Sequence, residues 1–318
     1  MNFEKRQKGV ALALSCGGAR GLAHIGVIRE LERRGYVIHN ISGCSMGSVV
    51  GAFYAMGRMS SLSQFMESLS LEDMADYLDF TISSGGFIKA KRFIDKLKTL
   101  SPDRSIESLP VELTIVATNL TTGKEEVFTQ GSIYAAVRAS IAIPAVITSV
   151  RQDGEVLVDG GIVNPMPLNH LHASPGDIKV AVNLYGTDTT ATLSPVPVRE
   201  TSNESPLAYL RDKYHSVRTW RSSLLTTLFR ETTDVRGYVG TLRAIVDLMT
   251  QRLIEAQLRV APPDVVIDIP MACASVFDFN RAKDLILLGE QQARAALDRY
   301  EAQSATPWWR RKWRRFRF

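Results

Sequence analysis

The chain has 318 residues, of which 45% are hydrophobic and 22% charged. This composition excludes a collagenous, coiled-coil or wholly disordered protein, and it is enough to bury one large core with a smaller appendage. The formal charge of +5 is local: Arg310, Arg311, Lys312, Arg314, Arg315 and Arg317 give 307–318 six cations and no acid. Taking those six from +5 leaves −1, so the body of the protein is not expected to bind nucleic acid.

The apolar run 10–14 reads as a buried strand of a parallel sheet. A Gly-rich turn follows, Cys16-Gly17-Gly18-Ala19-Arg20-Gly21. Leu22, Ile25, Ile28 and Leu31 then recur every third residue, as on the apolar face of a helix that stops at Gly35. A second strand at 37–42 runs into Gly43-Cys44-Ser45-Met46-Gly47, and a helix at 48–56 follows it. This βαβα opening predicts a parallel α/β sheet with its chemistry at the carboxyl ends of strands.

The stretch 60–100 reads as helical, broken at Ser83-Ser84-Gly85-Gly86, and suits a cap over the site. Further strands are expected at 111–119, 125–129, 155–158, 178–184 and 265–269. Helices are expected at 132–140, 242–258 and 281–300. The Thr-, Ser- and Pro-rich stretch 187–204 reads as a long exposed loop.

Cys16, Cys44 and Cys273 are few, odd in number and scattered, which indicates neither a disulfide framework nor a zinc site. A reducing, cytoplasmic setting fits best. The apolar run after the basic residues of 1–8 is shorter than the roughly 7 to 15 residues of a signal core. No stretch approaches the roughly 20 apolar residues of a membrane-spanning helix, so any membrane contact is expected to be peripheral.

Three motifs carry chemistry. Gly43-Cys44-Ser45-Met46-Gly47 matches G-x-S-x-G, in which a serine sits on a sharp strand-to-helix turn that flanking glycines permit. Alone the pattern is weak, but its place between a strand and a helix is what the chemistry requires. The amides of Gly17, Gly18, Ala19 and Arg20, with Gly21 closing the turn, open a helix and suit an oxyanion. A dinucleotide-binding turn is the competing reading. It would put a glycine at position 16 and an acidic residue about twenty positions on; the chain has Cys16 and the Ser45 turn instead. Asp159-Gly160-Gly161 places an acid at a strand end, where alone it is an ordinary β-turn.

Taken together, the run Leu14-Ser15-Cys16-Gly17-Gly18-Ala19-Arg20-Gly21-Leu22-Ala23-His24-Ile25-Gly26-Val27, the Ser45 motif, Ala139-Ser140-Ile141-Ala142-Ile143-Pro144 and Asp159-Gly160-Gly161 resemble the bacterial patatin-like phospholipases. The resemblance implies a three-layer α/β/α core with a mostly parallel sheet and a C-terminal helical extension. It implies a Ser–Asp dyad, with Ser45 as nucleophile and Asp159 as base, and an oxyanion hole around Gly17 and Gly18. It also implies cleavage of lipid acyl esters without a metal or other cofactor. Cys16 departs from the family, which usually has glycine there, and leaves open which amides donate. On this basis 9–172 is the catalytic core, 173–306 completes the fold with mostly helical additions, and 307–318 is a basic aromatic tail.

Arg20 is read either as a solvent-exposed residue at a helix start or as a group that braces the turn or attracts an anionic headgroup. His24, His39, His170, His172 and His215 are the five histidines. His170 and His172 read as a polar surface pair. A Ser-Asp-His triad completed by His215 is the alternative mechanism, and a catalytically weak regulatory protein on the same fold is the alternative class. Trp308, Trp309 and Trp313 among the tail cations suit an anionic membrane interface better than nucleic acid, given a lipid substrate.

Overall fold

A computed structural model describes residues 8–77, 79–83, 86–144, 146–187 and 238–305. His215, the tail 307–318 and nearly all of the loop expected at 187–204 lie outside the described residues.

The core strand β1 (Lys8–Leu14) is buried from its second residue on, as expected of a strand covered on both faces. It pairs in parallel with β2 (Tyr36–Cys44) on one side and with β9 (Ile178–Gly186) on the other. β10 (Val265–Pro270) extends the sheet in parallel beyond β9. On the other flank β5 (Glu112–Asn119) pairs in parallel with β2. The remaining strands, β6 (Lys124–Phe128), β7 (Val150–Gln152) and β8 (Glu155–Asp159), are antiparallel to their neighbours. The eight strands form one mostly parallel sheet.

Helix α1 (Ala23–Arg33) connects β1 to β2, and α7 (Tyr238–Val260) lies between β9 and β10. The two crossovers step in opposite directions along the sheet. Right-handed connections then put their helices on opposite faces, which gives three layers. α2 (Met46–Ala55) lies on β2 and β5, and α8 (Ala282–Ala305) packs along α1.

The expected cap, 60–100, is α3 (Met59–Ser68), α4 (Leu71–Tyr77) and α5 (Lys91–Leu100), and α6 (Ile133–Ser140) lies further along the chain. The break expected at 83–86 holds a small antiparallel pair, β3 (Phe80–Ser83) with β4 (Gly86–Ile88).

One junction in the sheet matters most. Ile115 and Val116 of β5 each pair with both β2 and β6, so those two strands lie on opposite edges of β5. Ala117, Thr118 and Asn119 pair with both β6 and β8, so β8 shares the edge used by β2. β2 runs up that edge and ends at Cys44, opposite Val116. β8 runs down it and ends at Asp159, opposite Ala117. The two strands therefore meet head to head at their carboxyl ends.

Helices α1 and α8 approach each other backbone to backbone. A β-carbon on Gly26 would overlap the Ile286 carbonyl, and one on Gly289 would overlap the Ala23 carbonyl. Gly26→Ala is expected to lose about 2 kcal/mol despite alanine's better helix propensity, because the obstacle is backbone. Urea denaturation should show a lower midpoint with an unchanged slope.

Candidate active site

Ser45 is the residue after β2 and caps α2. It has φ 55° and ψ −123°, a conformation that side chains other than glycine rarely adopt. The turn is tight enough to exclude side chains on both sides. A β-carbon on Gly43 would stand 2.6 Å from the Gly47 carbonyl oxygen, and one on Gly47 would overlap the Leu14 carbonyl. The Ser45 amide donates to Ser140 Oγ (2.8 Å), and that hydroxyl donates to the Val116 carbonyl (2.7 Å). The Ser45 carbonyl accepts from the Ser48 hydroxyl (2.6 Å). The strained residue is thus held from both ends, with the positive end of α2 behind it.

Asp159 ends β8, and its backbone is held by the Ala142 carbonyl (2.9 Å) and the Thr118 hydroxyl (2.9 Å). Ser45 Oγ donates to Asp159 Oδ2 at 2.6 Å. The other carboxylate oxygen, Oδ1, accepts from the Gly161 amide (2.8 Å) and from the Cys44 thiol (3.8 Å). Gly160 and Gly161 leave room for this loop. A β-carbon on Gly160 would stand 2.5 Å from the Val116 carbonyl oxygen, and one on Gly161 would stand 2.9 Å from Cys16 Sγ. Ser45 and Asp159 are both buried, at 4% and 6% exposure.

Burial raises the Asp159 carboxyl from 3.8 to about 6, and its donors, Ser45 first, pull it back. No cation is among those influences. The carboxylate is therefore ionised at neutral pH yet basic enough to take a proton from a serine hydroxyl held against it.

The Gly-rich turn lies beside this pair. Gly18, with φ +58°, has no room for a side chain, since a β-carbon would stand 2.5 Å from the Val276 carbonyl oxygen. Gly18, Ser45 and Met46 line one apolar pocket, whose other walls include Leu69, Tyr77 and Phe93 from the expected cap. The amides of Gly17 and Gly18 donate to no acceptor among the described residues, whereas the Ala19 amide donates to the Val276 carbonyl (2.9 Å).

Arg20 differs from the exposed residue that one reading expects. It is 2% exposed; its Nε donates to the Gly17 carbonyl (3.3 Å) and its Nη1 to the Met271 carbonyl (3.0 Å). The guanidinium lies 4.6 Å above the Tyr185 ring and faces Asp247 at 3.9 Å. Arg20 braces the turn from beneath.

His24, His170 and His172 are engaged elsewhere. His24 is fully buried, its Nε2 is 2.9 Å from the Ser15 carbonyl, and burial lowers its pKa to about 4. His170 faces Glu125, His172 faces Glu112, and His39 is exposed. Ser140 and Cys44 hold the site but carry no sequence signal of their own. The one hint was the stretch Ala139 to Pro144, which also supplies the Ala142 carbonyl.

Asp159 carries a consequence for stability. Because its folded pKa lies above the unfolded value of 3.8, the folded chain holds a proton between pH 4 and 6 that the unfolded chain gives up. Stability should fall as pH rises through that window and stay lowered above it. Asp159→Asn is expected to be more stable than wild type near neutral pH, by up to about 3 kcal/mol, with no advantage below about pH 4. Urea denaturation of both proteins at the two pH values measures this.

The sequence profile of the patatin-like phospholipase family matches residues 12–172. An uncharacterised NTE family protein of Mycobacterium tuberculosis is 33% identical, and the alignment covers 92% of each chain. Lysophospholipase NTE1 of Pyricularia oryzae is 31% identical across 57% of this chain and 12% of its own length. Among solved structures, VipD from Legionella pneumophila overlaps 91% of this chain and 67% of its own, with a TM-score of 0.41 and 16% identity.

Proposed function

The chain belongs to the patatin-like phospholipase family and is an acyl ester hydrolase, and we propose that it cleaves lipid esters with Ser45 as nucleophile and Asp159 as base. The observation that carries this reading is the 2.6 Å hydrogen bond from a strained, buried serine hydroxyl to a carboxylate that no cation neutralises. A lone serine hydroxyl is a poor nucleophile, and a basic group at that distance makes it a competent one.

In the proposed reaction Ser45 Oγ adds to the ester carbonyl while its proton passes to Asp159 Oδ2. Negative charge gathers on the carbonyl oxygen, where the Gly17 and Gly18 amides are the donors best able to meet it. The Ala19 amide, already given to Val276, is a poorer candidate. The tetrahedral species collapses, the alcohol leaves with the proton from Asp159, and an acyl-serine remains. Water then gives a proton to Asp159 and attacks the acyl carbon. Fatty acid departs, and the proton returns to Ser45. The apolar lining beside Ser45 suits a hydrocarbon chain.

Two variants test the dyad with p-nitrophenyl butyrate as substrate. Ser45→Ala should abolish both turnover and labelling by a fluorophosphonate probe while the protein stays folded. Labelling elsewhere with activity kept would refute the assignment. Asp159→Asn should lower turnover by at least about 100-fold, the usual contribution of a general base. In wild type, kcat/KM should fall with acid as pH drops through about 6, since the base must be ionised. A mild Asp159→Asn with a severe His215→Ala would favour the triad instead. No hydrolysis of any ester by wild type would favour a regulatory protein.

The tail is a separate part of the proposal. Six cations and three tryptophans in 307–318 support attachment to anionic bilayers. Truncation before Pro307 should weaken sedimentation with anionic liposomes, most at low salt, and leave turnover of the soluble ester unchanged. Equal binding by the truncated and full-length proteins would refute it.

A further inference from the structure

Three donors meet the Asp159 carboxylate, and the proposed reaction uses only one of them. Oδ2 faces Ser45, while Oδ1 is held by the Gly161 amide and the Cys44 thiol. We propose that Cys44 is a positioning residue, whose thiol fixes the Asp159 carboxylate so that Oδ2 stays aimed at Ser45. This rests on the dyad reading above.

The placement follows from the head-to-head strands. Cys44 is the last residue of β2 and Asp159 the last of β8, so the side chain next to the nucleophile lies beside the base. Cys44 is fully buried. Burial pushes its thiol well above the usual range, so it remains protonated and can only donate to a carboxylate. The two sulfurs lie against the two glycines that follow the base. A β-carbon on Gly160 would be 3.0 Å from Cys44 Sγ, and one on Gly161 2.9 Å from Cys16 Sγ. The cysteine that departs from the family pattern thus backs the cysteine that touches the base.

The choice of a thiol has a chemical reason. A base in this pocket must be oriented, but every donor it accepts stabilises its charge and makes it less basic. A thiol is the weakest donor available, so it holds one oxygen at little cost to basicity. Around Asp159 among the described residues stand Cys16 and Tyr185, with Arg20 over the Tyr185 ring and Asp247 facing Arg20 beyond them. A substitution at position 44 changes the contact with Cys16 and leaves Tyr185 and Arg20 as they are.

The test compares full-length wild type, Cys44→Ala and Cys44→Ser in the hydrolysis of p-nitrophenyl butyrate across pH, with Ser45→Ala as control. Cys44→Ala should lower kcat about fivefold, the size of one modest hydrogen bond, with KM unchanged. Its acid limb should move to higher pH, because one donor to the carboxylate is gone. Cys44→Ser should restore kcat and move the limb below that of wild type, since a hydroxyl donates more strongly. The order Ala above Cys above Ser is the signature that packing alone would not produce. Coincident limbs in the three proteins, or a wild-type kcat in Cys44→Ala, would overturn the proposal. If Cys44→Ala fails to fold, a serine variant whose limb lies at or above that of wild type overturns it as well. Retained activity in Ser45→Ala would instead mean that the dyad reading has failed.

Discussion

The site depends on a single edge of β5. Two strands running in opposite senses share that edge and stop one residue apart, at Val116 and Ala117. Neither can extend without running into the other, so each chain must turn away at the junction. β2 turns by a strained serine into a helix, and β8 turns by an aspartate into a tight 3-10 loop, Gly160–Ile162. The Ser45 hydroxyl and the Asp159 carboxylate are brought to 2.6 Å by this termination, not by any long loop. The supports follow from the same geometry: Ser140 ties the elbow to Val116, and Thr118 ties Asp159 to β5.

Burial at such a junction is a conflict between folding and chemistry. A carboxylate with no cation beside it is unfavourable in the folded state. Hydrogen bonds from Ser45, Gly161 and Cys44 offset that penalty in part, and what remains is the raised basicity. A nearby lysine or arginine would make the fold more stable and the carboxylate a worse base. Arg20 lies in the neighbourhood, but its guanidinium is turned to the Gly17 and Met271 carbonyls and to Tyr185.

Much of this was legible in the sequence because it is enforced locally. Gly43, Gly47, Gly160 and Gly161 are each required where a β-carbon would meet backbone or a buried sulfur, so the motifs announce themselves as glycine spacing. The apolar runs of β1 and β9 and the three-residue period of α1 are likewise local. Strand direction is not. Nothing in the residues 155–158 tells that they run against β5, or that the short β7 joins them, because pairing partners are chosen by contacts distant along the chain. Arg20 is the sharpest case. Its neighbours in sequence allow a surface residue, but its partners Tyr185, Asp247 and Met271 come from far along the chain and bury it.

The close approach of α1 and α8 has a consequence for biosynthesis. The Gly-rich turn after β1 leads straight into α1, and α1 is seated by Gly26 against Ile286 and by Ala23 against Gly289. The Ala19 amide also waits for the Val276 carbonyl. A ribosome that has just delivered β2 and β8 has made the elbow and the aspartate, but not the segment that shapes the turn beside them. At that stage this corner of the site is still unfinished. It is completed only when the residues of α8 clear the exit tunnel and close over α1.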